Sequence, residues 1–118
     1  VLKNLVDNSR KYSKEGPEIK IKLWTTKNWI KITYIDNGIG IPAGDEKKIF
    51  NKFYRSDKKK FGKVGGSGLG LYIVKEIIKY HRGKIKATSE GIEQGTKFII
   101  DLPRYESLSS RQKKNLLC

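Results

Sequence analysis

Two asparagines, Asn4 and Asn8, stand one helical turn apart near the start of the chain, a spacing that puts both amides on one face of a helix. Amide oxygens are hard, neutral donors that suit Mg²⁺, an ion that keeps several waters and draws on phosphate for the rest of its shell. By spacing alone the plainer reading, surface residues of a helix, prevails. Further on, Asp36 is followed by Gly38 and Gly40 in "DNGIGIP". A carboxylate at a strand end accepts a hydrogen bond from an exocyclic amine, and glycines beside it let backbone approach a flat ring. A lone Asp-Asn-Gly would be a turn, but the whole unit is far less common than that turn.

The third candidate is "KVGGSGLGLYIVKEII", Lys63 to Ile78. It fits neither familiar phosphate fingerprint: Gly70 is followed by Leu71 where a P-loop has Lys, and Leu71 stands where a dinucleotide motif beginning at Gly66 and Gly68 has its third glycine. Gly66, Gly68 and Gly70 nevertheless lead into an apolar, helix-like run. The start of a helix, with exposed N–H groups and a favourable dipole, binds anions without any side chain. Lys58, Lys59, Lys60 and Lys63 flank it.

The elements that must position these residues follow from apolar spacing. Val1, Leu2, Leu5, Val6 and Ser9 form one stripe of an amphipathic helix over Val1 to Tyr12, which opens in mid-pattern as a piece of a longer protein would. Ile19, Ile21 and Leu23 alternate with Lys20, Lys22 and Trp24, and Ile30, Ile32 and Tyr34 alternate up to Asp36. These read as two strands joined by a turn at Thr26-Lys27-Asn28. A short helix is expected around Glu46 to Phe50 and a mobile, lysine-rich loop over Asp57 to Gly68. From Leu69 the positions Ile73, Val74, Ile77, Ile78 and His81 keep the helical period, with Arg82-Gly83 as the stop. Two more alternating strands follow, Lys84 to Ser89 and Thr96 to Leu102. Residues 104–118 read as a polar tail after a domain over 1–103. Half-polar strands with amphipathic helices imply an α+β fold of two layers, helices on one face of the sheet and solvent on the other.

With 118 residues the chain makes one domain, and its single cysteine, Cys118, rules out an internal disulfide framework. The cysteine usage makes a reducing, cytoplasmic setting the expectation, and no run of residues is apolar enough for a membrane helix. Lys and Arg outnumber Asp and Glu by 26 to 12, a net charge of +14. Such a charge attracts nucleotides, nucleic acids, acidic proteins or anionic surfaces without choosing among them.

Taken in order, "NLVDNSRKYS", "DNGIGIP", "IFNKFYRSD", "GGSGLGLYIV" and "QGTKFIIDLP" resemble the asparagine box, first glycine box, phenylalanine box, second glycine box and last glycine box of the histidine kinase ATP-binding domain. The resemblance covers most of Asn4 to Pro103. It implies the Bergerat ATP-binding fold, a two-layer sandwich with a mixed, mostly antiparallel sheet, shared with DNA gyrase, a heat-shock chaperone family and mismatch-repair ATPases. It implies ATP and Mg²⁺ as ligands, with Asn8, supported by Asn4, at the metal and Lys11 at phosphate. Tyr12 would lie near the sugar and Asp36 at the adenine amino group, helped by Thr96 through a water, with Gly38, Gly40 and Ile41 around the adenine. Phe50 and Phe53 would anchor the loop start, and Arg55 would reach the terminal phosphates. Gly66, Gly68, Leu69, Gly70 and Leu71 would form the lid.

The same resemblance implies a family domain that begins earlier, with a further helix and strand. It also implies a partner domain, dimeric and bearing the phosphoacceptor histidine, and a response regulator receiver domain that takes the phosphoryl group from it. The parent would be a homodimeric, membrane-anchored bacterial kinase, and His81 would not be the acceptor. Where the family's hydrolases carry a glutamate, Asn4 stands here, an amide with no useful basicity. The chain is therefore expected to hold ATP for transfer to an external nucleophile and, with the acceptor histidine on the separate domain, to bind ATP without phosphorylating itself. Two other readings are a serine-directed kinase of the anti-sigma type on the same fold and a basic nucleic-acid-binding module resting on the net charge with Trp24 and Trp29. Nucleic acid is not expected as a partner.

Overall fold

The computed structural model describes residues 1–13, 15–54 and 68–116. Helix α1 (Leu2–Lys11) is followed by strands β1 (Ile19–Thr25) and β2 (Trp29–Asp36), a 3-10 turn at Lys48–Phe50, helix α2 (Gly70–Tyr80), and strands β3 (Lys84–Thr88) and β4 (Thr96–Pro103). A 3-10 turn at Tyr105–Ser107 and helix α3 (Ser110–Leu116) complete the described elements. Among the described residues no helix is long and apolar enough to cross a membrane.

The strands form one sheet in the order β1-β2-β4-β3. The sheet, expected to be mixed and mostly antiparallel, is antiparallel at all three pairings. Its register aligns Ile21, Tyr34 and Phe98 with Ala87, and Leu23, Ile32 and Ile100 with Ile85, so one face carries the apolar side chains. The opposite face carries Lys20, Lys22, Lys31, Lys97, Lys84 and Lys86, with Lys31 paired to the facing Asp101 at 3.1 Å. Helices α1 and α2 lie on the apolar face and pack against each other, which gives the expected two layers.

The core centres on Leu5, Tyr34, Val74, Phe98 and Ile100, each at most 1% exposed. Phe98 meets the Tyr34 and Phe50 rings edge-on, at 6.1 and 6.3 Å between centroids, the arrangement favoured by aromatic quadrupoles. Burying each large apolar side chain contributes about 1.5–3 kcal/mol, so this cluster fixes how α1 and α2 sit over the sheet. α1 ends with Arg10 and Lys11 in its last turn, where positive charge complements the helix dipole.

Three elements differ from their sequence expectation. The short helix near Glu46 is a 3-10 turn confined to Lys48–Phe50, with Ile49 and Phe50 buried. In α2 only Val74 and Ile78 are buried; Ile73 and Ile77 are 42% and 37% exposed, because β3, α1 and the Lys48–Phe50 turn cover only part of the apolar stripe. The segment read as a polar tail carries local structure over residues 104–116. Leu108 is buried, and Ser109 caps α3 in a reciprocal pair: the Gln112 N–H donates to Ser109 Oγ and the Ser109 N–H to Gln112 Oε1. The expected mobile loop over Asp57 to Gly68 lies outside the described residues except at Gly68.

Candidate functional site

At the end of the sheet where β2 stops and β4 begins, the two layers part around a cavity of about 310 Å³, within the range of small-molecule sites. One wall is the polar face of α1, which contributes Asn4, Asp7, Asn8, Lys11 and Tyr12. The sheet end supplies Asp36, Thr96 and Phe98, the loop after β2 supplies Gly38 to Pro42, and the start of α2 supplies Gly70, Leu71 and Ile73. Ile49, Tyr54 and Gly68 complete the lining.

Asp36 is the most constrained polar group here, at 8% exposure. Oδ1 accepts the N–H groups of Gly38 at 3.0 Å and Thr96 at 3.1 Å, and Oδ2 accepts the Ser9 hydroxyl at 2.8 Å. Ser9 has one proton, and a carboxylate only accepts, so that proton belongs to Asp36. The Tyr34 hydroxyl, 2.8 Å from Ser9 Oγ, is therefore the donor in that contact. A buried chain thus runs from Tyr34 to Ser9 to Asp36, and burial pushes the Tyr34 phenol above its ordinary pKa. Three donors leave part of the carboxylate's acceptor capacity for whatever fills the cavity.

The walls are joined by main-chain bonds. The Ile39 N–H donates to the Tyr12 carbonyl at 2.9 Å, tying the loop after β2 to the end of α1. The Glu93 N–H donates to Ile39 at 2.7 Å and the Gly95 N–H to Gly38 at 3.0 Å, tying it to the β3–β4 loop. Gly40, at φ +75°, is needed for close approach: a Cβ there would overlap the Gly91 carbonyl. Across the cavity Asn4 Nδ2 reaches the Gly70 carbonyl at 3.3 Å, linking α1 to the first turn of α2.

Of the residues singled out in the sequence, Asn4, Asn8, Lys11, Tyr12, Asp36, Gly38, Gly40, Ile41, Gly68, Gly70, Leu71 and Thr96 line this one cavity. Phe53 and Leu69 are not among the lining residues. Phe53 is 69% exposed, and its backbone, at φ +63°, donates to the Gly68 carbonyl at 2.9 Å. This clasp brings the two residues within van der Waals range, where Gly68, at φ +72°, leaves no room for a Cβ. Leu69 sits at the N-cap of α2. Arg55 and Gly66 lie outside the described residues.

The sequence reading missed Asp7 and Tyr54. Asp7 was signalled by its place between the two asparagines on the same helix face. Tyr54 adjoins Phe53, and its hydroxyl donates to Asp45 Oδ2 at 2.7 Å. Burial, then that bond and the Asp45 charge, drive its phenol above the usual tyrosine range. His81 stays away from this lining: its Nδ1 lies 2.8 Å from the Ile77 carbonyl, against the last turn of α2.

An antiparallel sheet with helices on one face, and a cavity at the sheet end that the start of α2 helps to line, defines a two-layer α+β domain. The family described as "Histidine kinase-, DNA gyrase B-, and HSP90-like ATPase" matches residues 1–106, and the chain belongs to that family. Sensor protein RprX of Bacteroides fragilis is 46% identical over 105 residues, 87% of this chain and 20% of its own. Sensor protein kinase WalK of Staphylococcus haemolyticus is 46% identical over 106 residues, 17% of its length. The chain thus spans about a fifth of these curated relatives. Among solved structures, the mycobacterial sensor histidine kinase MprB superimposes with a TM-score of 0.74 at 31% identity, covering 85% of this chain and 67% of that one.

Proposed function

We propose that this chain is the ATP-binding catalytic domain of a two-component sensor histidine kinase. The observation that carries the reading is Asp36, buried and triply hydrogen-bonded at one end of a cavity whose α1 wall presents Asn4, Asp7, Asn8 and Lys11. A fixed carboxylate there accepts from the adenine exocyclic amine. Gly38, Gly40 and Ile41 face the base, Tyr12 the sugar, and Lys11 with the start of α2 the phosphates. Arg55 and the glycines from Gly66 onward belong to the same reading as phosphate-side residues.

Mg²⁺ fits the donor set. Among the described residues no group of three or more His, Cys, Asp and Glu side chains is placed to hold an ion. A cation here would therefore rest on the amide oxygens of Asn8 and Asn4, with Asp7 adding a carboxylate, and on phosphate itself. When bound, the ion neutralises charge that builds on the transferred group. The chain's own residues hold the nucleotide in line. In the reaction the bond between the γ-phosphorus and the β,γ-bridging oxygen breaks, and a phosphorus–nitrogen bond forms at an imidazole of the separate dimerisation domain. ADP leaves, the imidazole proton is lost, and the phosphoryl group passes to an aspartate of a response regulator.

The test is calorimetric titration of the 118-residue chain with a non-hydrolysable ATP analogue, with and without Mg²⁺. Binding that strengthens with Mg²⁺ and is lost in Asp36→Ala is expected, with no histidine labelling by γ-labelled ATP in the chain alone. Absence of nucleotide binding in the unsubstituted chain, or labelling at His81, overturns the reading.

A further inference from the structure

The seam behind the cavity is held by a side chain that does not line it. Ser89 follows β3, and four backbone groups converge on its hydroxyl. The Gly95 carbonyl lies at 2.6 Å and the Gly91 carbonyl at 3.1 Å, while the N–H groups of Ile41 and Gly91 each lie at 3.1 Å. A serine hydroxyl has one proton and two lone pairs. The proton goes to the nearer carbonyl, Gly95, and the lone pairs take Ile41 and Gly91, so the group is saturated. It bonds at once to the loop after β2 and to both ends of the β3–β4 loop. Gly40 passes so close that a Cβ there would stand 2.8 Å from Ser89 Oγ.

On the cavity side of this seam stand Ile41 and Thr96, and the Thr96 N–H is itself a donor to Asp36 Oδ1. We infer that Ser89 is a positioning residue for base recognition: its hydroxyl sets the distance between the wall of Gly38 to Ile41 and the wall of Gly95 and Thr96. The inference rests on the nucleotide reading above. Adenine offers an amino group to Asp36 where guanine offers a carbonyl oxygen, so a slot of fixed width admits the first and rejects the second. Losing the hydroxyl strips a partner from the Ile41 and Gly91 N–H groups and from the Gly95 carbonyl. The slot then loosens, and discrimination suffers along with affinity.

The experiment compares binding of non-hydrolysable ATP and GTP analogues to the 118-residue chain, Ser89→Ala and Ser89→Thr, with Thr88→Ala as a control on an exposed neighbour. Ser89→Ala is expected to bind the ATP analogue about tenfold more weakly, the effect of one unsatisfied buried group, with a smaller ATP-to-GTP ratio. Ser89→Thr should restore both. If Ser89→Ala does not fold, Ser89→Cys, whose thiol donates and accepts weakly, must shift both values in the same direction. A folded Ala variant that matches the parent, or one that loses both analogues in proportion, overturns the role of Ser89 and leaves the nucleotide reading standing. An unsubstituted chain that binds neither analogue overturns both.

Discussion

Single side chains here act through what they hold in place. Tyr34 and Ser9 are at most 1% exposed, and their hydroxyls deliver a proton each along one line toward Asp36, so the carboxylate's orientation is fixed from beneath the cavity. Tyr54 is tethered in the same way to Asp45. Both phenols have raised pKa values, chiefly through burial, and this makes stability depend on pH. An unfolded tyrosine titrates near pH 10. Below that value both states keep their protons and the stabilisation is whole. Above it the unfolded chain releases protons first, so stability falls as pH climbs toward the folded-state values. Urea midpoints measured from about pH 8 to about pH 12 should decline on the alkaline side. Tyr54→Phe should make that decline shallower and leave the share due to Tyr34; an unchanged slope would refute the assignment to Tyr54. Part of this scale was legible: spacing alone left Asn4 and Asn8 as surface residues, and only the five motifs in their fixed order joined them to Asp36. Ser89 was not, because a loop serine gains its meaning only from the chain folded around it. Phe53, expected to anchor the loop start, is exposed and bonds through its backbone to Gly68, while its neighbour Tyr54 lines the cavity.

At the scale of elements, the loop after β2 depends on close approach, while the start of α2 has space. Gly40 combines φ +75° with overlap against the Gly91 carbonyl. Gly70 is the first residue of α2 and has nothing within 4 Å of an added Cβ. The two alanine substitutions should therefore differ in sign. Gly40→Ala should destabilise by more than about 2 kcal/mol, as strained backbone and displaced packing add together. Gly70→Ala should leave stability unchanged or raise it by up to about 1 kcal/mol, the gain in helix propensity. Chemical denaturation of both variants decides the matter, and equal losses would show that the glycines serve the fold alike. The strands and both long helices were legible because alternation and the 3.6-residue period survive into the structure. The cap of α3 was present in the sequence as Ser109-x-x-Gln112 and was passed over because the segment around it is polar. The exposure of Ile73 and Ile77 was not legible, since periodicity marks an apolar stripe without saying how much of it a neighbour covers.

For the whole molecule, the uneven cover over the sheet matters most. Strand β1 is an edge, and Ile21 and Leu23 point to the helical layer in register with Tyr34 and Ile32, yet they are 50% and 65% exposed. The layer that buries Tyr34 stops short of them. An edge with no partner strand among the described residues, beside uncovered apolar side chains, invites association with another copy. Against this works a net charge of +14, which drives copies apart over about 8 Å at physiological ionic strength and over less as salt rises. The chain should therefore be monomeric in dilute buffer and associate as salt increases. Leu23→Lys should suppress that association while changing stability by no more than about 0.5 kcal/mol, as for an exposed position. Sedimentation velocity across a salt series checks both statements. A chain that stays monomeric at high salt and high concentration, or a Leu23→Lys variant that associates as the parent does, would remove the β1 edge as the cause.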